Sequence, residues 1–242
     1  MRVADLVLVT RSEPGASGLV AALERAGFRA FAHPMIEIHA KPPEEVAAND
    51  TDWAIAIFVS AHAVAHGLPL LAESIGRNDG ARQWVAVGGS TARALATKGI
   101  AATHPIDETS EGILALPALA DVAGRGVVIV AGDEGRDVLA NVLRKRGAKV
   151  TVLRSYERRP TTAPIPRWIV ESADTVVLSS VEGARAFARQ WTVVGGSVKV
   201  RTIVPSARVA EAVRSLGFDN LLSSRGASDD AVVEALRGVE RT

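Results

Sequence analysis

The stretch VLVTRSEPGASGLVAALERAGF, residues 7–28, opens with a short apolar run and continues into an alanine- and leucine-rich segment that ends at a glycine. A β-strand followed by a helix has this pattern, and the glycine fits the left-handed position just past a helix end. Similar units recur along the chain, with β-branched runs alternating with helical segments. This alternation is typical of parallel strands joined by crossover helices, so it predicts an α/β fold.

The same pattern gives the expected positions of strands and helix ends. Strands are predicted near residues 5–10, 28–39, 53–59, 83–88, 126–131, 148–157, 174–179 and 199–204, with shorter ones near 101–104 and 219–222. Helices are predicted in the gaps. Four glycines are each predicted to adopt left-handed geometry between a helix and a strand: Gly27, Gly99, Gly147 and Gly217.

The opening stretch is repeated later in the chain. Residues 127–148, VVIVAGDEGRDVLANVLRKRGA, align with residues 7–28 without gaps at an offset of 120, and the same offset places Ser60 of IFVSAHAV on Ser180 of VLSSVEGA. An offset of 118 aligns two further pairs of segments, 87–99 with 205–217 and 109–114 with 227–232. Four blocks in one order favour an internal duplication. The alternative is the general likeness of α/β segments to one another.

Composition and charge narrow the class of protein. A chain of 242 residues, 48% of them hydrophobic, can bury large cores, and its length favours two domains. The 28 basic and 27 acidic residues give a net charge of +1, which provides no global attraction for nucleic acid or an anionic membrane. The lack of cysteine excludes thiolate chemistry, and the short apolar run at 6–9 predicts neither a signal peptide nor a membrane span. We therefore expect a cytoplasmic protein.

The candidate binding residues lie where predicted strands end and helices begin, because open parallel sheets bind ligands at their carboxyl edge. For Ser60 and Ser180 there are two readings. Each serine can simply cap its helix, or the free amides of several such helix ends can together bind an anion. The loops concerned are 10–12, 60, 88–91 and 109–111, with counterparts at 132–135, 179–180, 206–208 and 227–229.

Catalytic motifs of the common kinds are absent from the sequence. There is no Gly-x-Ser-x-Gly elbow, no phosphate loop and no dinucleotide-binding fingerprint. His62 and His66 have the i, i+4 spacing of zinc ligands, but no third ligand accompanies them, so we predict two surface histidines.

Tyr156, the only tyrosine, lies in the arginine-rich segment RSYERRP. One reading is a linker residue with a packed ring and a solvated hydroxyl. The other is a weak acid that donates a proton to a departing oxygen. Arg154, Arg158 and Arg159 either form a solvated face or pair with a ligand carboxylate.

Two extended segments end in proline, HPMIEIHAKPP at 33–43 and LRSYERRP at 153–160. Because proline cannot donate to a sheet ladder, each segment is predicted to end a strand and begin a connection between domains. Ile36 and Ile38 alternate with polar residues, which is compatible with a two-stranded ribbon.

Six motifs follow one another over nearly the whole chain: VLVTRSEPG, IFVSAHAV, VAVGGSTARAL, GDEGRDVLANVLRKRGAKV, SYERRP and VVLSSVEGARAF. In this order they resemble the uroporphyrinogen-III synthase family, an enzyme family of tetrapyrrole biosynthesis. The resemblance implies two parallel-sheet α/β domains joined by a two-stranded linker, one of them discontinuous. The implied domains are 1–35 with 160–242, and 41–152, with linker strands at 36–40 and 153–159.

The resemblance also implies a reaction. The substrate would be hydroxymethylbilane, a linear tetrapyrrole polycarboxylate, cyclised to uroporphyrinogen III with loss of water and inversion of ring D through a spirocyclic intermediate. It implies no cofactor, no metal, a monomer, and a transient contact with hydroxymethylbilane synthase. Because the enzyme mainly has to hold a flexible substrate in one geometry, few catalytic side chains are expected.

Residue roles follow from the resemblance position by position. Tyr156 matches the tyrosine proposed as the acid, and the substrate-binding positions are Arg11, Ser60, Ser90, Thr91, Ser110 and Ser180. The segment 206–210, SARVA, lacks the threonine that many members have there, so no role is assigned to it. Two other functions stay open at this point. One is a non-catalytic binding protein for a carboxylated ligand, and the other is a sugar-nucleotide or phosphoryl enzyme, which the missing phosphate loop disfavours.

Overall fold

The computed structural model of the protein describes residues 6–41, 53–72, 82–133 and 138–240. The strands are β1 (Leu6–Val9), β2 (Arg29–Ala32), β3 (Ile36–Ala40), β4 (Ile55–Phe58), β5 (Gln83–Ala86), β6 (Gly126–Gly132), β7 (Lys149–Pro160), β8 (Ala173–Val177), β9 (Arg201–Val204) and β10 (Leu221–Ser223). The helices are α1 (Gly15–Arg25), α2 (Ala61–Gly67), α3 (Gly89–Ala96), α4 (Ser110–Leu114), α5 (Val138–Lys145), α6 (Arg167–Ser172), α7 (Val181–Val193), α8 (Ala207–Ser215) and α9 (Asp229–Glu240). Pro42, Pro43, Glu134 and Gly135, which belong to segments interpreted above, lie outside the described residues.

The chain divides into two compact units. Unit 1 contains Met1–Glu37 and Arg159–Thr242, and unit 2 contains Ile38–Arg158. The divisions fall within β3 and β7, two hydrogen-bonded neighbours. Unit 1 is therefore discontinuous in sequence, whereas unit 2 is one continuous segment.

Unit 1 contains a five-stranded sheet in the order β10-β9-β8-β1-β2, and all four neighbouring pairs are parallel. All four residues of β1 are buried, because a parallel sheet with helices on both faces needs apolar side chains on both. One face packs on α1 and α9 through Leu19, Leu23 and Leu236. Phe187 and Trp191 of α7 stack with ring centroids 5.0 Å apart.

Unit 2 contains a five-stranded sheet in the order β3-β7-β6-β4-β5, in which the β7-β6, β6-β4 and β4-β5 pairs are parallel. Alternate side chains of β4 belong to two different hydrophobic cores. Phe58 packs with Leu95 of α3 and with Tyr156, and Ile57 packs with Leu143 of α5. Because β4, β5 and β6 are parallel, their carboxyl ends lie at the same edge of this sheet.

The predicted helix ends are confirmed. The backbone φ values are +94° at Gly27, +76° at Gly99, +86° at Gly147 and +92° at Gly217. Residues with a Cβ rarely adopt such values. Each ends a helix before the chain turns toward the next strand.

Two strand predictions need correction. The predicted strand 28–39 is two strands, β2 and β3, because Pro34 between them has no N–H to donate to a sheet ladder. The predicted strand 101–104 is only a single bridge between Thr103 and Val85, and Pro105 follows directly. Within the described residues, no helix is long and apolar enough to cross a membrane.

Candidate functional site

Ser60 and Tyr156 form a pair of hydroxyl groups in unit 2. Ser60 is the N-cap of α2, and its Oγ accepts a hydrogen bond from the backbone N–H of Ala63 over 3.0 Å. The Oη of Tyr156, which is carried by β7, lies 3.0 Å from the same Oγ. The predicted capping role of Ser60 is confirmed, and the bond to Tyr156 is an addition that the sequence did not predict.

The ring of Tyr156 is buried, with only 3% of the residue exposed. Its register partner on β6 is Gly132, at a point where the strand pairing is irregular. A Cβ on Gly132 would lie 2.7 Å from Cε2 and Cζ of the ring, so the glycine leaves the space that the ring fills. Of the predicted packed ring and solvated hydroxyl, only the packed ring is found, because the hydroxyl is bonded to Ser60.

Two histidines of α2 flank this ring. The centroids of His62 and His66 lie 5.7 and 6.1 Å from the centroid of Tyr156. Burial, with smaller contributions from the charges of Arg158 and His66, lowers the pKa of His62 to about 4, so its imidazole is neutral at neutral pH. His62 and His66 are both half-buried rather than fully exposed. No group of three or more His, Cys, Asp or Glu that could hold a metal ion occurs in the described part of the chain.

Ser180 is the corresponding cap in unit 1. It precedes α7 with extended backbone angles, and its Oγ accepts a hydrogen bond from the backbone N–H of Gly183 over 3.0 Å. The predicted capping role is therefore confirmed for this serine too. Its use in ligand binding stays a prediction.

Ser90 and Thr91 lie in the first turn of α3, after the N-cap Gly88. Ser90 is exposed, whereas Thr91 is 1% exposed. The backbone N–H of Gly89 donates to Oε1 of Glu108 over 2.7 Å, so a carboxylate of the chain itself occupies this helix end. Since only 1% of the whole Thr91 residue is exposed, its use in ligand binding stays a prediction.

Ser110 is the first residue of α4, and the cap of that helix is the preceding Thr109, whose Oγ1 accepts a backbone N–H of the first turn over 3.1 Å. Together with Arg154 and a set of aliphatic side chains, Ser110 lines a cavity of about 230 Å³ within unit 2. Nη1 of Arg154 donates to the carbonyls of Gly132 and Asp133 over 2.8 and 2.9 Å. This arginine therefore holds the end of β6 in place.

Arg11, just after β1, is bonded within unit 1. Its Nε donates to Oγ of Ser179 over 2.9 Å, its Nη1 pairs with Oδ1 of Asp229 over 2.6 Å, and its Nη2 donates to the carbonyl of Ala227 over 2.7 Å. The Arg11 side chain is 12% exposed. These bonds use three of the five N–H donors of the guanidinium group, so Arg11 keeps donors for a substrate carboxylate, and its predicted binding role stays a prediction.

Gly132 and Glu108 shape the site, yet neither was predicted in that role. Gly132 makes room for the ring of Tyr156, and Glu108 accepts from the amide of Gly89. No local pattern reveals either contact, because both partners are distant in sequence. The one available signal was a glycine at the end of a buried strand, which often marks a close approach.

Comparison with known proteins agrees with this architecture. A model of the family described as uroporphyrinogen-III synthase HemD matches residues 17–234. The uroporphyrinogen-III synthase of Salmonella typhimurium is 31% identical over 245 residues, covering 96% of this chain and 99% of the relative. That of Escherichia coli is 30% identical over 248 residues, with coverage of 96% and 99%.

Two solved structures share the fold. A mutant uroporphyrinogen III synthase from Thermus thermophilus superposes with a TM-score of 0.62 at 17% identity and covers 99% of this chain and 100% of its own. The enzyme from Helicobacter pylori gives a TM-score of 0.64 at 13% identity, with coverage of 98% and 100%. The α/β fold with parallel sheets is thereby confirmed. The chain belongs to the uroporphyrinogen-III synthase family.

Proposed function

We propose that the chain is a cyclising lyase of tetrapyrrole biosynthesis that converts hydroxymethylbilane into uroporphyrinogen III with loss of water. The observation that carries this function is the family match over residues 17–234. Named relatives at 30% and 31% identity, aligned over 96% of the chain, support it. In the reaction the hydroxyl leaves the first ring, the resulting cation is attacked by the substituted carbon of the last ring, and the spirocyclic intermediate reopens and closes with ring D inverted.

We assign the acid that assists hydroxyl departure to Tyr156. Its support is the bond of Oη to Ser60 at the beginning of α2, at the carboxyl end of β4. A phenol O–H can donate a proton to a departing oxygen as a general acid. The neutral state of His62 keeps an additional positive charge away from this group.

We assign substrate binding to helix ends in both units. Backbone amides in the first turn of a helix bind carboxylates without a charged side chain, and a polycarboxylate needs several such contacts. The contact of Glu108 with the amide of Gly89 supports this role for α3, since it already places a carboxylate there. The proposed positions are Arg11, Ser60, Ser90, Thr91, Ser110 and Ser180.

We also propose that the chain arose by an internal duplication and that each unit combines parts of both repeats. Four neighbouring strands of unit 1 have the order β9-β8-β1-β2, and four of unit 2 have the order β5-β4-β6-β7. Strand β10 lies beside β9 in the first sheet, and the bridge at Thr103 lies beside β5 in the second. The offsets of 120 and 118 map these two orders onto each other strand by strand. The strands β3 and β7 would be the linker, because the unit divisions fall within them.

We propose a monomer in the cytoplasm that makes a transient contact with hydroxymethylbilane synthase. The lack of cysteine suits a reducing compartment. The substrate closes unaided to the type I isomer, so a short transfer distance would favour the type III product.

The function is tested by isomer analysis. Porphobilinogen is converted by a hydroxymethylbilane synthase with and without the chain, and the products are oxidised to porphyrins and separated by chromatography. We expect the type III isomer only when the chain is present. Type I product alone in both reactions would refute the function and favour a non-catalytic binding protein.

A further inference from the structure

The hydroxyl pair can be arranged in two ways, and the burial of Tyr156 selects one of them. If Ser60 donated to Tyr156, the phenol O–H would need another acceptor. Among the described residues, the partner of Oη is Ser60 Oγ alone. Because Tyr156 is 3% exposed, a proton pointing elsewhere would be a buried donor without a partner, which is unfavourable.

The favoured arrangement therefore has Tyr156 donating to Ser60. Oγ of Ser60 then accepts two hydrogen bonds, one from Oη and one from the N–H of Ala63 over 3.0 Å. A serine oxygen has two lone pairs, and both are now used. The remaining group on Ser60 is its own O–H, which must point away from both partners. Ser60 is partly exposed, so this proton faces outward from the beginning of α2.

We propose that Ser60 is the residue that gives the proton to the departing hydroxyl of the substrate, and that Tyr156 acts through Ser60 rather than by touching the substrate. The proposal rests on the function proposed above and changes the assignment of roles within it. Ser60 becomes the catalytic residue. Tyr156, enclosed by Gly132 and the two histidines of α2, becomes the proton reservoir behind it.

The transfer conserves atoms and charge. The C–O bond of the hydroxymethyl group breaks with its electron pair going to oxygen, and the proton of Ser60 Oγ completes the water molecule. In the same step the proton of Tyr156 Oη moves to Ser60 Oγ along the 3.0 Å hydrogen bond, which leaves a phenolate. Closure of the macrocycle releases one proton from a pyrrole carbon, and this proton restores the phenol. No other reactant is needed.

Substitutions at Ser60 separate proton transfer from helix capping. Ser60→Gly keeps a residue that is well tolerated at the N-cap position but removes the hydroxyl. Ser60→Thr keeps both the cap and the hydroxyl. Tyr156→Phe and the double variant Ser60→Gly/Tyr156→Phe complete the set. Ser206→Gly is the matched control, because Ser206 caps α8 in the same way and has no role assigned to it. Ser206 belongs to unit 1, whereas Tyr156 belongs to unit 2.

The measured quantity is the rate of type III formation, with thermal unfolding recorded for every variant. We expect Ser60→Gly and Tyr156→Phe each to lower the rate about 10²-fold, the usual contribution of general acid catalysis. The double variant should be no slower than the slower single variant, since both act in one relay. Ser60→Thr should retain most of the activity, and Ser206→Gly all of it.

Three outcomes would overturn the relay. Ser60→Gly could keep the wild-type rate while Tyr156→Phe loses activity, which would make Tyr156 the direct donor. The two losses could multiply in the double variant, which would make them independent. Ser60→Thr could be as slow as Ser60→Gly, which would rule out the hydroxyl as the cause. A failure of the proposed function looks different, because the wild-type chain would then form no type III product.

Discussion

Replacing Gly132 with alanine would place a methyl group 2.7 Å from Cε2 and Cζ of Tyr156 and 3.1 Å from its Oη. Carbon atoms in contact normally lie about 3.5–4.0 Å apart, so the ring or the strand must move by about 1 Å. Gly132 does not have a positive φ, so alanine adds no backbone penalty and the clash alone determines the effect.

The size of the effect follows from this clash. Overpacking a well-filled core destabilises a protein by about 1–3 kcal/mol. About 2 kcal/mol corresponds to a fall in melting temperature of about 4–8 °C for a chain of this length. A shift of the ring would also lengthen the 3.0 Å bond between Oη and Ser60, so the rate of type III formation should fall as it does for Tyr156→Phe.

The assays are thermal unfolding and isomer analysis, with Gly238→Ala as the control. A Cβ at Gly238, which lies inside α9, meets no atom within 4 Å. That variant should be unchanged or more stable by up to about 1 kcal/mol, because alanine favours helices. If Gly132→Ala kept both the melting temperature and the type III rate of the wild type, the packing argument for Tyr156 would be refuted.

Two further predictions concern Arg11 and His62. Arg11→Met should lower the free energy of unfolding by about 2 kcal/mol, because three hydrogen bonds are lost, one of them to Asp229. The control Arg167→Met breaks an ion pair with Glu171 whose side chains are 88% and 64% exposed, and it should lower the free energy of unfolding by less than about 0.5 kcal/mol. Equal losses of the two variants in denaturant unfolding would contradict the structural role of Arg11. For His62 the folded pKa of about 4 lies below the ordinary 6.5, so the unfolded state binds more protons between these values and stability falls as the pH drops through this window. Between pH 6.5 and pH 4.5 the free energy of unfolding of His62→Gln should therefore fall by about 1 kcal/mol less than that of the wild type, after allowance for solvent screening. Parallel pH profiles of unfolding for the two proteins would show that burial of His62 has no such effect.

Local features of this protein were predictable because they depend on neighbours in sequence. Strands β1 and β4 are runs of apolar residues, and the caps Ser60 and Ser180 bond to amides three residues away. The glycines after the helices need only the conformational preference of glycine itself. Each of these predictions required no knowledge of how the chain folds over longer distances.

The remaining features depend on partners that the sequence does not identify. His62 and His66 have the spacing of one helix face, but the sequence does not show that this face lies beside Tyr156 of β7. Arg11 has the pattern of a ligand-binding cation, but Asp229 at the start of α9 and the carbonyl of Ala227 accept two of its N–H groups. The domain division and the roles of the site residues stay predictions for the same reason, since both concern distant parts of the chain.

The position of β1 in the middle of its sheet has a consequence for the order of events during synthesis. Its neighbour β8 is made only after the whole of unit 2 has been translated. At about 5–20 residues per second, the ribosome needs on the order of ten seconds to cover that distance. During this interval unit 2 is completed as one continuous segment, whereas β1 has one edge unpaired and its apolar residues uncovered. The nascent chain is therefore most exposed to chaperones and to self-association through its first strand, until the last third of the chain arrives.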